Sequence, residues 1–209
     1  MAQDWRRWAP LTGVVFVVLL VASFVVGDAT PGVDDSANEV VSFYTDNESQ
    51  MFISSICSGL AAVFFLFFVG SLTSVLERGD TTRTGLSAVA RAGGIVAAVG
   101  MLIFAGLTFT LGDAADSLEP EATQALNALN SDFFFPLAAG IATLLIASGL
   151  VVVRSGVLPQ ALGWAALVIG VVSFTPLGFF AFLASIAWVL VTSVILARAA
   201  TAPPVTGAA

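Results

Sequence analysis

The chain has 209 residues, 58% of them hydrophobic and 10% charged, with a mean hydropathy of +1.00. Soluble domains carry about a quarter charged residues, so this composition excludes a soluble globule and indicates a single integral membrane domain. The net charge of −7 arises from seven arginines against fourteen acids, with no lysine and no histidine, which excludes a lysine Schiff base and leaves haem and most zinc sites without their usual ligand.

Trp5-Arg6-Arg7-Trp8 reads as an interfacial anchor, with indoles at headgroup depth and arginines against anionic lipid. The apolar run Leu11 to Val26 follows. Its basic start and its Gly27-Asp28-Ala29 exit have the form of a secretory signal. The run is long for a signal core, however, and the exit recurs as Gly112-Asp113-Ala114, so it is expected to stay as a first transmembrane helix. Residues 28–50 form an acidic segment. Asp34-Asp35-Ser36 offers an N-cap, and Ala37, Val40, Val41 and Tyr44 then fall at i, i+3, i+4 and i+7, the stripe of a short amphipathic helix.

A second span is expected from about Met51 to Leu76, with Cys57, the single cysteine, inside it. A lone buried thiol is a small apolar group and forms neither disulfide framework nor metal cluster. An arginine-bearing loop, 77–92, leads to a third span from about Gly93 to Leu111, in which Gly94 and Ala98 are a small-xxx-small packing pair. The second acidic segment contains a short helix opened by Pro120 and Glu121, with Ala122, Ala125, Leu126 and Leu129 as its expected buried stripe. The fourth span is Phe133 to Val153. A tight turn ends in Pro159, the fifth span runs from about Ala161 to Phe174, and the sixth from about Leu177 to Ala197. Residues 201–209, with two prolines and no periodicity, read as a mobile tail.

The charges set an orientation. All seven arginines (Arg6, Arg7, Arg78, Arg83, Arg91, Arg154 and Arg198) fall on one side of these spans, and all the acids except Asp4, Glu77 and Asp80 fall on the other. The arginine side is therefore expected in the cytoplasm, together with both termini. The two acidic segments also align as a tandem repeat. Gly27-Asp28 matches Gly112-Asp113 at a spacing of 85, and Arg78 matches Arg154 at 76. The reading is one all-α domain over residues 1–200: repeat units 9–92 and 93–160, then a hairpin, 161–198.

The segment Val153-Arg154-Ser155-Gly156-Val157-Leu158-Pro159-Gln160-Ala161-Leu162-Gly163-Trp164, with the helix-to-span layout of both halves, resembles a family of uncharacterised bacterial membrane proteins known as a domain of unknown function. The resemblance implies six helices in a bacterial cytoplasmic membrane. It supplies no catalytic residues. The segment itself reads as a structural turn, with Gly156 ending a helix, Pro159 restarting one and Gly163 allowing close packing.

No ionisable residue lies at mid-depth in any expected span, so proton-coupled transport and intramembrane proteolysis lack their usual groups. Ser54, Ser55, Ser58, Thr108, Thr110, Thr143 and Ser148 are expected to bond their own helix or a neighbour. No glycine-rich phosphate loop appears, no cofactor is expected, and the acidic face argues against nucleic acid. Asp28, Asp113, Asp116 and Asp132, close to the membrane boundary, either set topology or form a vestibule for a cation or polar ligand. The leading expectation is a non-enzymatic protein that binds a lipid, a small amphipathic ligand or a membrane partner. A facilitative channel or transporter is the alternative. The uncharged tip Phe174 to Phe180 is expected to lie beneath the two amphipathic helices.

Overall fold

A computed structural model describes residues 8–27, 29–81, 84–132 and 134–201. Trp5 to Arg7, Asp28, Arg83, Phe133 and the tail beyond Thr201 lie outside the described residues. Every regular element among the described residues is helical, as the composition requires. After a 3₁₀ turn at Ala9–Leu11 come α1 (Thr12–Val26), α2 (Ala37–Asp46), α3 (Glu48–Gly79), α4 (Leu86–Ala114), α5 (Pro120–Asp132), α6 (Phe134–Ser155), α7 (Gln160–Val172) and α8 (Gly178–Thr201). Five helical stretches are long and apolar enough to cross a membrane, and they contain α1, α3, α4, α6 and α8. The chain is a multi-pass membrane protein on that ground. The expected fifth span, Ala161 to Phe174, corresponds to α7 and is short for a crossing. At 13 residues α7 is about 20 Å long, against about 30 Å of hydrocarbon.

The six apolar helices close a ring. Each packs on the next in the order α1, α3, α4, α6, α7, α8, and α8 returns to α1. Lipid offers no hydrophobic drive between helices, so such contacts rest on close approach of small residues. A Cβ added to Gly140 on α6 would lie 2.3 Å from the Ala97 nitrogen, and one added to Gly93 on α4 would lie 2.5 Å from the Leu144 nitrogen. These two backbones are therefore in direct contact. The expected pair Gly94 and Ala98 are both buried, but Gly94 meets Val69 of α3 instead. α4 thus has two small faces, one for each neighbour. Gly163 and Gly170 let α7 lie against α6, and the Trp188 indole of α8 donates to the Leu162 carbonyl at 2.9 Å. Gly156, at φ 66, ends α6 in the left-handed region that glycine tolerates.

One end of the ring, the arginine end, carries the turns after α3 and α6. They touch each other: a Cβ on Gly79 would lie 2.5 Å from Ser155 Oγ. In the α3–α4 turn the Asp80 carboxylate accepts from the Thr84 hydroxyl at 2.7 Å and the Thr84 amide at 3.0 Å, which hold its pKa below the usual value. Arg91 pairs with Glu77, but both side chains are about half exposed, so the pair adds little.

The other, acidic end carries α2 and α5. Asn47 alone separates α2 from α3, and α5 ends at Asp132 just before α6 begins at Phe134. Ser36 and Glu39 form a capping box at the start of α2. The expected stripe on α2 is correct, with Val40 and Tyr44 fully buried and Ala37 and Val41 half-buried. On α5 the expectation holds for Leu126, which packs on the core around Val40 and Tyr44, and fails for Ala122, Ala125 and Leu129. Leu129 is 48% exposed, while Thr123, Asn127 and Asn130, at i, i+4 and i+7, are buried.

The expected cover over the α7–α8 tip is also absent. Leu177 and Phe180 are exposed, and α2 and α5 pack on each other and on α3 and α4. The tip satisfies its own backbone: Thr175 Oγ1 accepts from the Leu177 amide at 3.2 Å, and the Thr175 carbonyl accepts from the Gly178 amide at 2.8 Å. A turn that closes its own hydrogen bonds needs no polar lid, and its apolar side chains suit lipid.

The α4–α6 contact leads to a direct test. Gly140→Ala forces the backbones apart and should destabilise the chain by roughly 1–3 kcal/mol. Gly70→Ala, where an added Cβ meets nothing within 4 Å, should leave the melting temperature in detergent unchanged or slightly higher. Equal melting temperatures for the two variants would show that α4 and α6 do not touch through their backbones.

Candidate functional site

The polar face of α5 divides between two neighbours. On one side Asn127 binds α2: the Tyr44 hydroxyl donates to Asn127 Oδ1 at 2.7 Å, and Asn127 Nδ2 donates to the Pro31 carbonyl at 3.1 Å. Gln124 adds a bond from Nε2 to the Asp35 carbonyl at 2.7 Å. Below them Tyr44 packs with Val40, Met51, Leu111 and Ala115 as a small separate core. Burial there pushes the Tyr44 pKa up to about 12.

Further along the same face, Asn130 reaches the interior of the ring. It is 3% exposed, its Nδ2 lies 3.5 Å from Thr108 Oγ1, and its Oδ1 has no hydrogen-bond partner. A buried acceptor left in this state costs roughly 1–3 kcal/mol. Asn130 lines a cavity of about 160 Å³. α1 contributes Leu20 and Phe24 to its wall, α4 Met101 and Phe104, α6 Phe134 and Leu137, and α8 Phe179 and Phe182. Three of these rings are linked: Phe182 meets Phe24 at 6.2 Å and Phe134 at 5.5 Å, both edge to face. Phe24 and Phe179 are more than half exposed, so the cavity has a rim on the outer surface of the bundle.

The remaining buried polar side chain of the wall is Ser58 of α3. Its hydroxyl donates to Ser23 Oγ at 3.0 Å, and Ser23 in turn donates to the Leu20 carbonyl at 3.0 Å. Ser54 donates to the Ser23 carbonyl at 3.0 Å. Ser55, Thr110 and Thr143 bond carbonyls of their own helices, as expected. Ser148 is buried with no partner. Below the cavity the interior narrows to a void of about 10 Å³, lined by Phe16, Phe65, Ile141, Leu144, Leu145 and Val189 among others. That is about the volume of one water.

The carboxylates singled out in the sequence stand apart from this cavity. Asp113 lies in the last turn of α4, Asp116 in the turn after it, and Asp132 ends α5; all three are exposed. Asp28 lies outside the described residues. Among the described residues no three His, Cys, Asp or Glu side chains come together as a metal could require. Sequence reasoning missed Asn127 and Asn130. Their spacing with Thr123 marks one helical face, which was passed over in favour of the apolar one.

The fold and this cavity define a class: a multi-pass, all-helical membrane protein with an apolar pocket between its helices, under a polar helical roof. Within that class, the chain belongs to the family described as a domain of unknown function, DUF4386, whose family model matches residues 11–208. No curated protein and no solved structure matches it.

Tyr44 provides the test of the roof. Its folded pKa lies above the ordinary value of 10, so its stabilisation is fully present below pH 10 and is lost as pH rises toward 12. Tyr44→Phe leaves Asn127 Oδ1 unpaired and should lower stability by roughly 1–3 kcal/mol at pH 7. The loss of stability between pH 10 and 12 should be smaller in that variant than in the parent. An identical alkaline profile would remove Tyr44 from the roof's energetics.

Proposed function

We propose that this chain is a non-enzymatic binding protein of the bacterial cytoplasmic membrane, and that its cavity takes a lipid chain or a small amphipathic molecule. The observation that carries the reading is the pocket itself: apolar walls with three polar side chains, Ser58, Asn130 and Ser131, and a floor of packed phenylalanine and aliphatic side chains. Ligand sites commonly have this form, a few polar groups in an apolar wall. The volume matches a benzene-sized group or a short stretch of acyl chain. The closed floor favours holding a ligand over passing one through.

We further propose six crossings, with the arginine end in the cytoplasm. α7 is short, but it carries the chain from the turn at Pro159 to the end where Phe179 and Phe182 line the cavity. α8 then returns, so that Ser193 meets Gly13 near the start of α1. The arginine bias supports the orientation, and the matching insertions of α2 and α5 support the tandem repeat. Reporter fusions after Val153 should read cytoplasmic and fusions after Thr175 external. A cytoplasmic reading at Thr175 would sink the six-crossing topology.

Binding is tested by native mass spectrometry of the full chain released from nanodiscs. The parent should retain a small adduct, and Leu20→Trp, which fills the cavity, should lose it while keeping its fold. No adduct on the parent, or the same adduct on both proteins, would overturn the reading.

A further inference from the structure

The packing closes the cavity on most sides and leaves one side open. Its top is the roof, where Asn130 is buried and Asn127 is tied to Tyr44. Its floor narrows to the small void, which shares Met101 and Phe182 with it. Around the ring the helices meet at small residues. Gly27 on Ser54 joins α1 to α3, Gly112 on Met51 joins α4 to α3, and Gly100 on Leu137 joins α4 to α6. Between α1 and α8 the glycine contact, Gly13 on Ser193, lies at the arginine end. Toward the acidic end that gap is bridged by the rings of Phe24 and Phe182, and Phe24 and Phe179 at the cavity rim are exposed. The exposed side chains next to these two along α1 and α8, Val21, Val25, Phe180 and Leu183, are all apolar. Both helices belong to stretches able to cross a membrane.

We propose that this gap is a side entrance, and that the occupant of the cavity is one acyl chain of an intact bilayer lipid whose headgroup stays outside. This rests on the binding reading above and deepens it, choosing a lipid chain over a free amphipathic molecule. A chain in the surrounding lipid reaches the gap across an apolar rim without passing through water. The polar side chains of the wall, Ser58, Asn130 and Ser131, are neutral, and no residue of the wall is ionisable. A charged headgroup drawn inside would therefore lose its hydration without a counter-charge. The chain itself restores contacts to lining atoms that otherwise face empty space.

The experiment places the full chain in phosphatidylcholine nanodiscs that carry a trace of photoactivatable lipid, and maps the labelled residues by mass spectrometry. One lipid bears its diazirine near the terminal methyl of an acyl chain, the other beside the ester. Met101, Leu137 and Phe182 are the readout, because they line the cavity and are buried from bulk lipid. Val18 and Phe135, both more than half exposed, report on bulk lipid. The chain-end lipid should label the interior residues, and the ester-side lipid should label exposed residues alone. Leu20→Trp, which fills the cavity, should abolish the interior labels while those on Val18 and Phe135 persist. A free small molecule, phenyl(trifluoromethyl)diazirine, separates this proposal from the reading beneath it. Interior labelling by that molecule and by neither lipid overturns the side entrance and leaves the cavity as a site for small ligands. Interior labelling by none of the probes overturns the cavity as a ligand site. Interior labels that survive in Leu20→Trp, or that come from the ester-side lipid, overturn the proposal as well.

Discussion

The α4–α6 contact is the constraint on which the rest of the bundle depends. Gly93 and Ala97 on α4 and Gly140 on α6 let two backbones meet where lipid would otherwise compete on equal terms with any side chain. Gly100 continues the seam, since a Cβ there would lie 3.0 Å from the Leu137 nitrogen. One turn nearer the acidic end the character changes. Met101, Phe104 and Phe134 replace the small residues, and all three line the cavity. The pocket begins where the glycine seam stops.

The α1–α8 interface repeats this arrangement. Gly13 meets Ser193 at the arginine end, and at the acidic end the gap is bridged by the rings of Phe24 and Phe182. The opposite wall of the ring is built otherwise. Gly27 packs on Ser54, and Gly112 packs on Met51, so α1, α3 and α4 stay tight up to the acidic end. A ring closed by small residues along one side and held by phenylalanines along the other encloses an off-centre space. Packing interiors leave few voids larger than a water, so a space of about 160 Å³ calls for a specific cause. The distribution of glycine and phenylalanine supplies one.

The long apolar helices were legible in the sequence because hydropathy and the segregation of arginine from acid report directly on solvent. The α2 stripe was legible for the same reason. α5 was misread because its apolar residues, Ala122, Ala125, Leu126 and Leu129, form a credible stripe, and in a water-soluble protein that stripe would turn inward. Beside a membrane the rule weakens: Leu129 stays exposed, and the buried face is held by hydrogen bonds from Tyr44 and to Pro31. Those partners are 83 and 96 residues away in sequence, beyond any local pattern. The acids at Asp113, Asp116 and Asp132 drew notice as charges, whereas the cavity is defined by an uncharged carboxamide.

Asn127 and Asn130 sit three residues apart on one helix with different tasks. The first is fully paired and ties α5 to α2; the second bonds Thr108 through Nδ2, leaves its Oδ1 unpaired and lines the cavity. The cost of the second must be met by the stability of the first and of the core beneath it, where Val40, Tyr44 and Met51 are fully buried. A buried polar group without a partner persists in a fold only when its surroundings fix its position. Here the pairing of the two amphipathic helices does so. The roof is thus what holds an acceptor over an apolar pocket, and its polar contacts with α2 are the reason the amide face of α5 points down.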